Sequence, residues 1–97
     1  MDYIFEITDK TRRKIHLSDE RWDHILKHTD ITINNLEDIK TALISPASII
    51  LQALDESKSN YYLYIKERKS YLLVGIKYLN GSGFITTAFF TRHISRK

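Results

Sequence analysis

The single proline of the chain, Pro46, separates two kinds of hydrophobic periodicity. Before it, over residues 18–44, apolar residues recur every three or four positions. After it they fall into runs and alternations. A residue that precedes proline is steered away from the helical region, so a helix must end by Ser45. Helices gathered ahead of one point and strands behind it predict an α+β fold, with the helices on one face of a sheet.

Ser18 has the short, oxygen-bearing side chain of an N-cap. Asp19 and Glu20 follow, where carboxylates suit the positive end of a helix. Leu17 and Trp22 have the spacing of a hydrophobic staple. Trp22, Ile25 and Leu26 then mark the apolar side of a helix running to about His28. Thr32 is expected to cap a second helix, with Ile33, Leu36, Ile39 and Leu43 as its core-facing stripe. Residues 3–7 and 14–17 read as a hairpin around a polar turn. Strands are expected at 47–54, 60–66, 71–78 and 84–91, with turns at 55–59 and 67–70 and a hairpin signal at Asn80-Gly81. The predicted architecture is an N-terminal hairpin and two helices packed on one face of an antiparallel β-meander, a single domain over residues 1–97.

Side chains alternate across a strand, so each strand candidate divides into two faces. Tyr61, Leu63 and Ile65 form one set and Tyr62, Tyr64 and Lys66 the other. Leu72, Val74 and Ile76 form one set, and Leu73, Gly75 and Lys77 the other. The first set of each is the expected core. The second sets make a surface of rings and ammonium groups, which suits nucleic acid because rings stack on bases and cations hold phosphates. An ordinary wet sheet face carries the same residue types. In the last strand Ile85, Thr87, Phe89 and Thr91 share a face, and the register that would orient it is open.

Composition excludes several chemistries. There is no cysteine, hence no disulfide, thiol nucleophile or cysteine-ligated zinc. The N-terminal residues lack the pattern of a signal peptide, and no apolar run is long enough for a membrane span, so the expected location is the cytoplasm. The glycines at 75, 81 and 83 fit a strand and a hairpin rather than a phosphate loop, so no nucleotide cofactor is expected. The net charge of +3 permits a polyanionic partner. Basic residues cluster at 10–14, 66–69 and 92–97, as solvated turns and tails also do.

Arg21, His24 and His28, at spacings of three and four, make one stripe on the first helix beside its apolar side. Histidine exchanges protons near neutrality and arginine grips phosphate through two hydrogen bonds. Cleaving RNA through its own 2′-hydroxyl needs a base, an acid and positive charge around phosphorus. The same stripe suits two idle surface histidines. Two histidines four apart can also bind zinc, but Trp22-Asp23-His24 lacks the glutamate of the zinc-protease motif and no third ligand is near, so no metal is expected. His16 and His93 are isolated.

The run Glu20-Arg21-Trp22-Asp23-His24-Ile25 with His28, the strands Tyr61-Tyr62-Leu63-Tyr64-Ile65-Lys66 and Leu73-Val74-Gly75-Ile76-Lys77, and the closing Gly83-Phe84-Ile85-Thr86-Thr87-Ala88-Phe89-Phe90-Thr91 together resemble a family of small phage and prokaryotic nucleases. It is grouped with the barnase, EndoU, colicin and RelE fold. The resemblance spans residues 17–91. It implies a metal-independent ribonuclease of toxin type, with RNA as substrate and an antitoxin- or immunity-type protein as a partner. It implies catalytic roles for Arg21, His24, Lys66, Lys77 and Thr87, and RNA contacts from His28, Tyr62, Tyr64, Thr91 and Arg92. Gly75 stands where a bulkier aliphatic residue is expected. The alternative is a non-catalytic module that binds nucleic acid or protein with the same surface.

Overall fold

Ser18 opens the first helix as its side chain predicts, its Oγ accepting the Arg21 N–H at 3.1 Å. The computed structural model describes residues 3–95. In chain order these form β1 (Tyr3–Thr8), β2 (Lys14–Ser18), α1 (Asp19–His28), a 3-10 turn (Ile33–Asn35), α2 (Leu36–Ile44), β3 (Ser48–Gln52), β4 (Asp55–Ile65), β5 (Ser70–Leu79) and β6 (Ser82–Thr91). One six-stranded sheet has the order β1-β2-β6-β5-β4-β3. Both helices pack on one of its faces, α1 against β1, β2 and β6, and α2 against β1, β4 and β5.

The fold is α+β, but the sheet is mixed rather than an antiparallel meander. The N-terminal hairpin does not lie on the sheet. It extends it, because β2 pairs in parallel with β6 through Lys14 to Ser82, Ile15 to Gly83 and His16 to Phe84. Parallel neighbours need a long crossover, and the two helices and β3–β5 supply it. Gly83 permits close approach on both sides of β6, to β5 and to β2. A Cβ there would stand 2.8 Å from the Lys77 carbonyl oxygen and 3.0 Å from Ile15 Cδ1.

The core lies between helices and sheet. Trp22 and Ile25 of α1 and Ile39, Ala42 and Leu43 of α2 meet Ile15, Leu17, Leu72, Val74, Ile76 and Ile85. Three local expectations are corrected. Ile33 is 70% exposed, because it lies in the 3-10 turn that precedes α2 and not on the helix's core stripe. The turn expected at 55–59 is instead the start of β4, and the chain reverses at Ala53-Leu54. There Lys58 pairs with Lys77 and Ser59 with Ile76. In β6 the register shifts at the Ile85–Thr87 step, leaving Thr86 as a bulge. An extra residue breaks the alternation, so Ile85 joins the core with Ala88 while Thr87 points the other way.

The polar turn between β1 and β2 is tied into the core. Asp9, 4% exposed, accepts the Thr11 and Arg13 N–H groups and the Thr11 hydroxyl through Oδ1. Its other oxygen accepts the hydroxyl of Tyr61, which also lies 2.8 Å from the Tyr78 hydroxyl. Burial, reinforced by the bond to Asp9, pushes the Tyr61 hydroxyl well above the usual tyrosine range. The Arg13 guanidinium covers the Tyr78 ring at 4.0 Å.

Candidate functional site

The helices cover one face of the sheet, so the other face carries the alternate set of every strand. Register joins these residues in rows. Lys58, Lys77, Phe84 and His16 form one row, Asn60, Gly75 and Thr87 the next, then Tyr62, Leu73 and Phe89, and last Tyr64, Tyr71 and Thr91. Of the residues expected together, Tyr62, Tyr64, Gly75 and Lys77 take places in these rows, whereas Lys66 lies beyond the end of β4, in the turn that follows it. His16, which looked isolated in the sequence, stacks on Tyr3 at 4.1 Å and lies 6.0 Å from Phe84.

Two members of this face are already engaged. Lys77 Nζ donates to Ser57 Oγ at 2.6 Å and stands 3.4 Å from Asp55 Oδ2. Hydrogen bonds from Ser57, aided by the Lys77 charge, hold the Asp55 carboxyl below its ordinary range. Tyr62 is fully buried. After β6 the chain returns to it, with the Ser95 N–H directed at its hydroxyl at 3.4 Å. Tyr64 in contrast is 48% exposed, edge-on to Tyr71 at 5.2 Å. Gly75 leaves a dip rimmed by Thr86, Thr87 and Asn60, whose atoms a Cβ would meet at 3.0–3.7 Å.

Arg21, His24 and His28 lie on α1. Its Trp22 and Ile25 point into the core, leaving His24 and His28 exposed with ring centroids 4.5 Å apart. The helix and Lys77 therefore occupy opposite sides of the sheet. Arg21, His24 and His28 are not brought together with Lys77 and Thr87.

A different grouping forms at one end of the sheet. Asp30, two residues beyond the end of α1, meets the β4–β5 turn and the end of β6 around a cleft of about 530 Å3. Arg68, Lys69 and Arg92 supply three cations, and Ser70, Phe90 and Thr91 complete the lining. Arg68 stacks on the Phe90 ring at 3.7 Å and stands 3.6 Å from Asp30 Oδ2. Asp30 also accepts the Phe90 N–H at 3.2 Å, which docks the post-helix loop onto the sheet. Among the described residues, Lys69 and Arg92 make no ion pair.

The cleft thus gathers Thr91 and Arg92 from the expected set. Lys66 is exposed in the same turn, whose tight path is closed by Arg68 N–H to the Ile65 carbonyl and Lys69 N–H to the Lys66 carbonyl. Arg68, Lys69, Asp30 and Phe90 were not singled out as site residues from sequence. The signal available was the basic run at 66–69, which reads equally as a solvated turn. The Arg68 guanidinium is held with one face on the Phe90 ring and one nitrogen toward Asp30, an arrangement that fixes its plane at the cleft. No family model matches this chain, and no curated protein or solved structure similar to it was found.

Proposed function

We propose that this chain is a metal-independent ribonuclease of toxin type that holds RNA at the Arg68–Lys69–Arg92 cleft. One observation carries the reading: three cations converge on a cleft whose wall begins two residues after an exposed histidine pair. The cations would neutralise charge growing on the phosphate as the 2′-oxygen attacks. His24 and His28 would serve the proton transfers, one taking the 2′-hydroxyl proton and the other donating to the leaving 5′-oxygen. Lys66, at the turn beside the cleft, would add charge. Thr87 and Lys77, on the far face, would be left out of the reacting centre. An antitoxin- or immunity-type partner would restrain the activity by covering the same cleft.

A second reading is a non-catalytic RNA-binding module. It is favoured by the separation of the helix stripe from Lys77, which the sequence-based mechanism needs together. The two readings differ in product. Incubated with mixed RNA and a chelator, the folded protein is expected to yield fragments with cyclic-phosphate ends. RNA that is bound but left intact at high protein concentration would favour the module, and RNA neither bound nor cut would defeat both.

A further inference from the structure

The cleft does not stand alone at its end of the sheet. Ser70 and Thr91 line it. Tyr71 follows Ser70 and pairs across the sheet with Thr91, and Tyr64 pairs with Tyr71 on the other side. The outermost row of the open face is therefore Thr91, Tyr71, Tyr64, starting at the cleft wall. Two strand spacings, roughly 10 Å, separate Thr91 from Tyr64. One or two nucleotides bridge that distance.

The two tyrosines are packed edge to face, at 69° between planes, which fixes the Tyr64 ring while leaving it half exposed. Phe90, the ring that lines the cleft, is covered by Arg68 and offers no free face on that side. Tyr62, the next tyrosine along β4, is buried. Tyr64 is thus the most exposed tyrosine of this row, with Tyr71 partly buried beside it, and it stands two strands from the cleft wall at Thr91.

We infer that the site takes a single-stranded, unpaired nucleotide, its phosphate in the Arg68–Lys69–Arg92 cleft and its base stacked on Tyr64. The inference rests on the RNA reading above and deepens it. Stacking needs an unpaired base whose face is free, and in an A-form duplex each base face is already covered by its neighbours. A base–ring contact is tolerant of sequence, because every base has a π-face. The site therefore discriminates by strandedness more than by base identity.

A 2′-O-methyl RNA octamer carrying 2-aminopurine, which cannot be cut through its 2′-oxygens, probes the site directly. It is offered single-stranded and annealed to its complement. The single strand is expected to bind at least about ten-fold more tightly than the duplex, with quenching of the 2-aminopurine. Tyr64→Leu should lose about ten-fold in single-strand affinity and most of the quenching, and Tyr64→Phe should restore both. Arg68→Gln should weaken single strand and duplex alike. Equal binding of the two forms, or a Tyr64→Leu variant that binds and quenches like the wild type, overturns the inference and leaves RNA binding standing. A folded wild-type protein that binds neither form overturns both.

Discussion

Tyr61 is a core residue with a polar end, and that end makes stability depend on alkaline pH. Its hydroxyl titrates near 10 in an unfolded chain, and burial against Asp9 raises it in the native state. Above about pH 10 the unfolded chain therefore holds fewer protons than the folded one, and stability falls as pH rises. Denaturant midpoints should decline above that pH in the wild type and decline less in Tyr61→Phe; parallel curves would refute the assignment. At neutral pH Tyr61→Phe should cost about 1–3 kcal/mol, because the buried Asp9 carboxylate loses a donor. A second pair of residues separates chemistry from packing on α1. Trp22 is buried and His24 exposed on the same helix. Trp22→Ala should destabilise by about 3–5 kcal/mol. His24→Ala should leave the melting temperature in place and lower any RNA cleavage about 10²–10⁴-fold. A His24→Ala protein that melts early would show that the histidine is structural.

Two elements depend on single small residues. The start of α1 depends on the Ser18 hydroxyl, whose loss in Ser18→Ala should cost about 1 kcal/mol. The packing of β6 between its neighbours depends on Gly83, where a methyl group would meet the β5 backbone at Lys77 and the Ile15 side chain of β2. Gly83→Ala should destabilise by about 1–3 kcal/mol and loosen β6 from β5 and β2 at this point. Amide hydrogen exchange would then speed up in β2, β6 and the Lys77 end of β5 before it does in β3 and β4. Uniform acceleration, or none, would place the strain elsewhere.

Over the whole molecule, the placement of charge decides which cations can share one polyanion. Lys77 is bound to Asp55 and Ser57 on the open face, whereas Lys69 and Arg92, with no ion pair among the described residues, converge at one end with Arg68, which Asp30 and Phe90 hold in place. Each phosphate contact to a single strand contributes about 0.7 to the slope of log affinity against log salt. Arg68→Gln should therefore lower that slope by roughly 0.7 while Lys77→Gln leaves it unchanged. Fluorescence anisotropy with a labelled single-stranded RNA measures both. A larger effect from Lys77→Gln would move the binding surface to the open face.

Local patterns were enough to fix much of this molecule. Ser18 capping α1, the stripe of Trp22 and Ile25, the stop before Pro46 and the two-faced alternation of β4 and β5 all follow from contacts within a few residues or from strict period-two geometry. The α+β class follows from their order. What sequence could not supply is pairing at a distance. The parallel contact of β2 with β6 depends on a crossover of most of the chain. The bulge at Thr86 flips the faces of β6 partway along, which no alternation rule anticipates. Tyr62 and Tyr64 are equivalent in the sequence, yet one is fully buried, with the Ser95 N–H at its hydroxyl, and the other is half exposed. The cleft is the extreme case. Asp30, Arg68 and Phe90 are far apart in the chain, and the Arg68 guanidinium is fixed only because a ring and a carboxylate from two other elements meet it.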